Sequence, residues 1–173
     1  MFWKELALGI TIAIAAWTDW RYQKIYNKLL GPAFAIALTL QGLSQGFSGI
    51  GAALMGSLTG FALLLIPYLL GGMGAGDVKF LAVIGSFGGA GFVVTSFLYG
   101  AIIGGLISLV LLARRRAVLA TCKHFLLMLP FLRNQNILRE DMQAAYREKF
   151  PYGIALAGGA ALAMLWPLGV LWG

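Results

Sequence analysis

Six acidic residues are spread over the 173 positions of the chain, and two of them stand where chemistry is possible. Asp19 lies in "WTDWRYQKIYN" and Asp77 in "GGMGAGDVKF". Each follows an apolar run, so both are expected at the boundary of a membrane, on different helices. Two carboxylates at one depth can hydrolyse a peptide bond. Like charges a few ångströms apart cannot both ionise, so one keeps a proton. The ionised group draws a proton from water, and the protonated one polarises the carbonyl and later serves the leaving amine. Such a pair titrates as a unit, so base and acid stay unassigned between the two. The other four acidic residues invite less. Glu5 sits near the outer end of the first apolar run. Glu140, Asp141 and Glu148 stand among Arg139, Arg147 and Lys149 as solvated partners.

Both aspartates also have ordinary readings. A carboxylate at the start of a helix is a normal N-cap, which suits Asp77. Asp19 stands at a helix C-terminus, where the macrodipole disfavours an anion. Its ordinary role is an ion pair with Arg21 or Lys24, worth about 0–1 kcal/mol. The glycines ahead of Asp77 (Gly72, Gly74 and Gly76) are expected to allow positive φ and close approach to an extended substrate. Cys122 is the only cysteine and His124 the only histidine, two positions apart, so they point to different sides of a helix. They build no metal site, and no metal or organic cofactor is expected.

Membrane helices must position these residues. The chain is 60% hydrophobic and 11% charged, where soluble domains average about 25% charged. A soluble fold of this length has nowhere to hide that apolar surface, so the excess must face lipid. Six membrane segments are expected, at about 3–18, 29–43, 50–72, 78–88, 91–113 and 152–172. The second and fourth fall short of the ~17–25 residues that a span needs. With six crossings, twelve of the 13 basic residues fall on one side, and the loops near 44–49 and 88–91 hold none. The positive-inside rule then places the basic side in the cytoplasm and both termini outside. A single crossing over 78–113 would instead put "RRR" at 114–116 outside. Gly88, Gly89 and Gly91 supply the turn that two crossings need.

The fold expected is therefore an all-α polytopic membrane protein in one domain, residues 1–173. One basic cytoplasmic loop, 114–150, pairs an amphipathic stretch with a polar helix, divided at Pro130. Residues 1–16 read as a retained span rather than a signal peptide, because the strong basic flank follows the apolar run. The net charge of +7 sets topology and meets anionic lipid headgroups; no nucleic-acid motif is present.

These residues carry a family resemblance. "GAGDVK" at 74–79 is similar to the G-x-G-D-x-K signature of the type IV prepilin peptidases. "DWRYQKIYN" at 19–27 resembles that family's D-x(5)-I-P-N motif, with Tyr26 in place of the usual Pro. "PYGIALAGG" at 151–159 resembles its P-Y-G-x-A-x-A-x-G stretch. The single cysteine leaves no room for the paired cysteines of members that also methylate their product. The chain resembles the short, peptidase-only members often associated with tight-adherence pili. The resemblance implies a bacterial inner-membrane aspartic endopeptidase with Asp19 and Asp77 catalytic. It implies prepilin or pseudopilin substrates with a basic leader and a hydrophobic helix, cut after Gly at the cytoplasmic face. Gly74 and Gly76 would shape the loop, Lys79 would steady Asp77 or snorkel, and Asn27 would cap or tie the first loop. The alternatives are an inactive assembly scaffold docking partners through 114–150, and a small transporter. The transporter is disfavoured because spans two, three, five and six carry no charge in their middles.

Overall fold

A computed structural model describes residues 2–70, 73–114 and 152–166. They form four helices: α1 (Phe2–Tyr22), α2 (Asn27–Leu69), α3 (Ala75–Arg114) and α4 (Tyr152–Leu165). Gly72, Cys122, His124, the basic loop after Arg114 and the end of the last expected span lie outside the described residues.

Helices α2 and α3 hold 43 and 40 residues. Drawn straight, each would be about 60 Å long, twice the hydrocarbon core of a bilayer at about 30 Å. Neither is straight. Gly46 interrupts α2 at φ 62°, ψ −141°, and Gly89 interrupts α3 at φ 81°, ψ −175°. Such angles are open to glycine and strained for other residues. The chain doubles back at both. A Cβ on Gly42 would lie 3.3 Å from Ile50 Cγ1, although eight residues of straight helix would part them by about 12 Å. Gly60 lies against both Leu81 and Val93, which flank the Gly89 break. The described helices thus comprise six helical segments. The turns expected near 44–49 and 88–91 contract to one left-handed glycine each.

Asn27–Leu69 and Ala75–Val110 are long and apolar enough to cross a membrane. Outward faces agree with lipid contact. Leu6, Ile10 and Ile14 form an exposed stripe on α1, and Leu98, Ile102 and Leu106 form another on α3, at four-residue steps.

The first half of α3 is the centre of the bundle. Phe80, Leu81 and Ile84 are fully buried, with Val78, Val83 and Phe87 nearly so. A helix that is apolar on every side belongs inside a bundle. The fourth expected span is thus enclosed by protein and carries no lipid-facing stripe. Around it pack Leu8, Ile12 and Ala15 of α1, Leu30, Ala33, Ala37 and Leu64 of α2, and Leu156, Ala157 and Ala160 of α4. Small residues let backbones touch. A side chain on Gly56 would run into the Gly85 carbonyl, and one on Gly85 into that of Gly56. The buried hydroxyls of Ser86 and Ser96 donate to the Val83 and Phe92 carbonyls, which satisfies them without a partner helix.

Candidate functional site

The helical ends bring Asp19 and Asp77 to one end of the bundle. Helix α1 continues to Tyr22, so Asp19 stands in its last turn rather than beyond it. The helix closes on Gln23, which adopts φ 49° and donates its N–H to the Asp19 carbonyl at 2.8 Å. That is the left-handed C-terminal cap, usually a glycine position. The Asp19 side chain turns inward and is only 6% exposed. Trp17, Trp20 and Tyr22 around it are exposed, as in the aromatic belts found where a membrane meets water.

A buried carboxylate needs partners. The ion pair with Arg21 or Lys24 is not the solution: both residues are exposed, and the carboxylate meets the start of α4 instead. Asp19 Oδ2 accepts the Ile154 backbone N–H at 3.2 Å, and the Gly153 N–H also points to the group. A helix N-terminus offers unsatisfied N–H groups and a positive dipole end. The contact is close because residue 153 has no side chain. A Cβ there would lie 2.7 Å from Asp19 Oδ2 and 2.8 Å from its Cγ.

Asp77 is the third residue of α3, not its N-cap. Its backbone N–H donates to the Gly74 carbonyl at 3.1 Å, and the Gly74 N–H points back to its carboxyl. The side-chain contact is the N3 half of a capping box; Gly74 has no side chain to supply the other half. The side chain is half-buried. It lies within coulombic reach of Asp19, and the Tyr152 phenol lies within reach of it.

The other expected residues fall close by, in altered roles. Gly74 and Gly76 do not take positive φ; the glycines that do, among the described residues, are Gly46 and Gly89. Gly76 packs against Ile25, where a Cβ would make an ordinary 3.5 Å contact. Lys79 reaches away from Asp77: its Nζ donates to Asn27 Oδ1 at 3.2 Å. Asn27 is the first residue of α2, and Tyr26 holds the N-cap position with no side-chain cap bond. The Lys79–Asn27 bond therefore ties the loop after Asp19 to the helix of Asp77. Tyr26 adopts φ −84°, ψ 133°, close to the φ that proline enforces. The loop keeps a proline-like shape without the proline.

Three participants escaped the residue-by-residue reading: Gly153, the Ile154 amide and Ile25. Gly153 stood in "PYGIALAGG" with no role, and a backbone donor leaves no mark on side-chain type. Ile25 sits between the Gly76 loop and Gly153, a contact visible only once the loops are packed. A cavity of about 720 Å³ lies at the opposite end, beside Lys4, Gln41 and the Gly89 turn, away from both aspartates. Among the described residues no three His, Cys, Asp or Glu side chains gather as a metal site.

Comparison with known proteins gives one result. A family model described as the type IV leader peptidase family matches residues 6–109, more than half of the chain and including both aspartates. No curated protein and no solved structure matches. The match leads to one assignment: the chain belongs to the type IV leader peptidase family.

Proposed function

We propose that the protein is an aspartic endopeptidase of the inner membrane that removes the leader peptides of type IV prepilins or pseudopilins. The observation that carries this is the meeting of Asp19 and Asp77 at one end of the bundle, where Asp77 lies half-buried within reach of the Asp19 charge. One carboxylate is held by backbone amides and the other stands at the head of the central helix. The pair keeps one proton between pH values at which both are neutral and both are charged. The ionised member takes a proton from water, and the hydroxyl oxygen bonds to the scissile carbonyl carbon. The C–N bond then breaks, and the amine leaves with the proton of the second carboxyl. The proton taken from water restores the pair. Ile154 engages Oδ2 of Asp19, and a carboxylate has a second oxygen to offer the water.

The same reading sets the topology. Six segments crossing the bilayer place both termini outside and twelve of the 13 basic residues in the cytoplasm. Asp19, Asp77 and Tyr152 then share the cytoplasmic boundary, where a leader peptide is still in water and its hydrophobic helix already in lipid. The substrate must be extended at the cleaved bond, because a helix engages its own carbonyls. The basic surface meets anionic headgroups.

The test is reconstitution in anionic vesicles with a synthetic substrate: a short basic leader, Gly, then a hydrophobic helix. Mass spectrometry should find a single cut after the Gly. A correctly inserted protein that leaves the peptide whole, or cuts only elsewhere, overturns the proposal.

A further inference from the structure

The start of α4 lies outside the region matched by the family model, yet it touches the candidate site. We propose that Gly153 and the Ile154 amide are positioning groups that hold the Asp19 carboxylate in place and favour its charged form against the cost of its burial. The inference rests on the peptidase reading for its catalytic meaning, but the contact itself is structural.

Three observations carry it. Asp19 is buried although it ends a helix whose macrodipole opposes its charge. Its Oδ2 is bound to Ile154 N. Every side chain larger than hydrogen at 153 would occupy the space of that carboxylate, since a Cβ would meet both Oδ2 and Cγ, and Ile25 Cδ1 at 3.0 Å. Ile25 borders the same space, so a side chain at 153 has no room to turn aside. The glycine is needed for space: it has no positive φ. Helix α4 thus opposes the end of α1 with the pole that α1 lacks. Amide donors to an anion favour its charged form.

Other charged groups surround this end of the bundle. Asp77 and Lys79 come from the start of α3, Lys28 from the start of α2, Tyr152 from α4, and Arg21 and Lys24 from the end of α1 and its loop. Arg21, Lys24, Lys28 and Lys79 are exposed, and Lys79 is engaged by Asn27. Burial is what opposes the Asp19 charge, and the α4 amides are the contacts that partly offset it from within hydrogen-bond distance.

The experiment uses the full chain in vesicles, with two variants that attack the contact differently. Gly153→Ala crowds the carboxylate. Ile154→Pro deletes the donor itself; a first-turn proline is compatible with a helix. Gly105→Ala is the control, because a Cβ there meets nothing within 4 Å. Infrared titration, with the Asp19 band assigned by Asp19→Asn, reads the charge state directly. The midpoint should rise by about one pH unit or more in both variants. Cleavage at neutral pH should fall about 10- to 100-fold, with the acid limb of the profile moved up. Gly105→Ala should match the wild type in both readouts. An unchanged Asp19 midpoint in both variants overturns the inference, whether or not the wild type cleaves. A wild type that fails to cleave, with the midpoint shifted in the variants, overturns the activity and leaves the contact standing.

Discussion

Replacing Gly60 by alanine should disturb Asp77 from a distance, and the size of the effect can be worked out. Gly60 lies in the second half of α2, against the central helix. A Cβ there would stand 2.5 Å from the Leu81 carbonyl oxygen, 2.9 Å from its carbon and 3.0 Å from Val93 Cγ2. Val93 can rotate, but the Leu81 carbonyl is fixed in its helix. Real Cβ contacts begin at 3.0 Å and are ordinary from 3.4 Å, so the helices must part by about 0.5–0.9 Å. Overpacking of this kind costs about 1–3 kcal/mol. Alanine recovers about 0.5–1 kcal/mol through helix propensity, so the net effect is destabilising. Leu81 stands one turn beyond Asp77, and the helix between them moves as a unit. A misplacement of about 1 Å costs about 100-fold in rate, which puts Gly60→Ala at about 10- to 100-fold. The assay pairs thermal unfolding in a bilayer with cleavage measured per folded molecule. Gly51→Ala is the reference, because its Cβ meets nothing within 4 Å; it should be neutral or slightly stabilising. If Gly60→Ala keeps the stability and rate of Gly51→Ala, the coupling of the central helix to Asp77 is wrong.

Three further outcomes follow from separate contacts. Tyr26→Pro should retain activity and change stability by less than about 1 kcal/mol, the gain from a stiffer unfolded chain being offset by the lost edge contact with Tyr22 at 6.3 Å; inactivity would show that the loop depends on the tyrosine. Gln41 is 4% exposed, donates to the Phe87 carbonyl at 2.9 Å and accepts from Lys4 at 2.8 Å. Gln41→Leu should therefore lower stability by about 1–3 kcal/mol with the cleavage rate per folded molecule unchanged, because it acts at the far end; equal loss of rate would contradict this separation. Lys79→Met and Asn27→Ala should each weaken activity modestly, and the double variant should be no worse than the stronger single, with a coupling below about 1 kcal/mol; full additivity would mean that the bond at 3.2 Å does not operate.

Much of the architecture is legible in the sequence because lipid imposes a strict rule. Apolar segments must be helical, and glycine clusters between them must turn. Gly46 and Gly89 accordingly fall inside the two turns read from composition. The central place of the fourth segment was not legible: Phe80, Leu81 and Ile84 look like any apolar run until neighbours enclose them. Both aspartates were legible from type and spacing. Their partners were not. Lys79 reads equally as a partner of Asp77 or as a snorkelling residue, and only the packed loops show that it donates to Asn27. The amide of Ile154 is identical in type to every other amide, so only the fold could bring it across 135 residues to Asp19. The glycines before Asp77 suggested backbone strain, yet neither Gly74 nor Gly76 has positive φ.

Cleavage by three variants (Asp19→Asn, Asp77→Asn and the double) tests the shared proton most directly. Groups that act as one unit are not additive. Each single variant should lose more than about 1000-fold in rate while inserting normally, and the double should lose no more than either. A single variant that keeps a tenth of wild-type cleavage, or a double whose loss is the product of the singles, would contradict a carboxylate pair working as one.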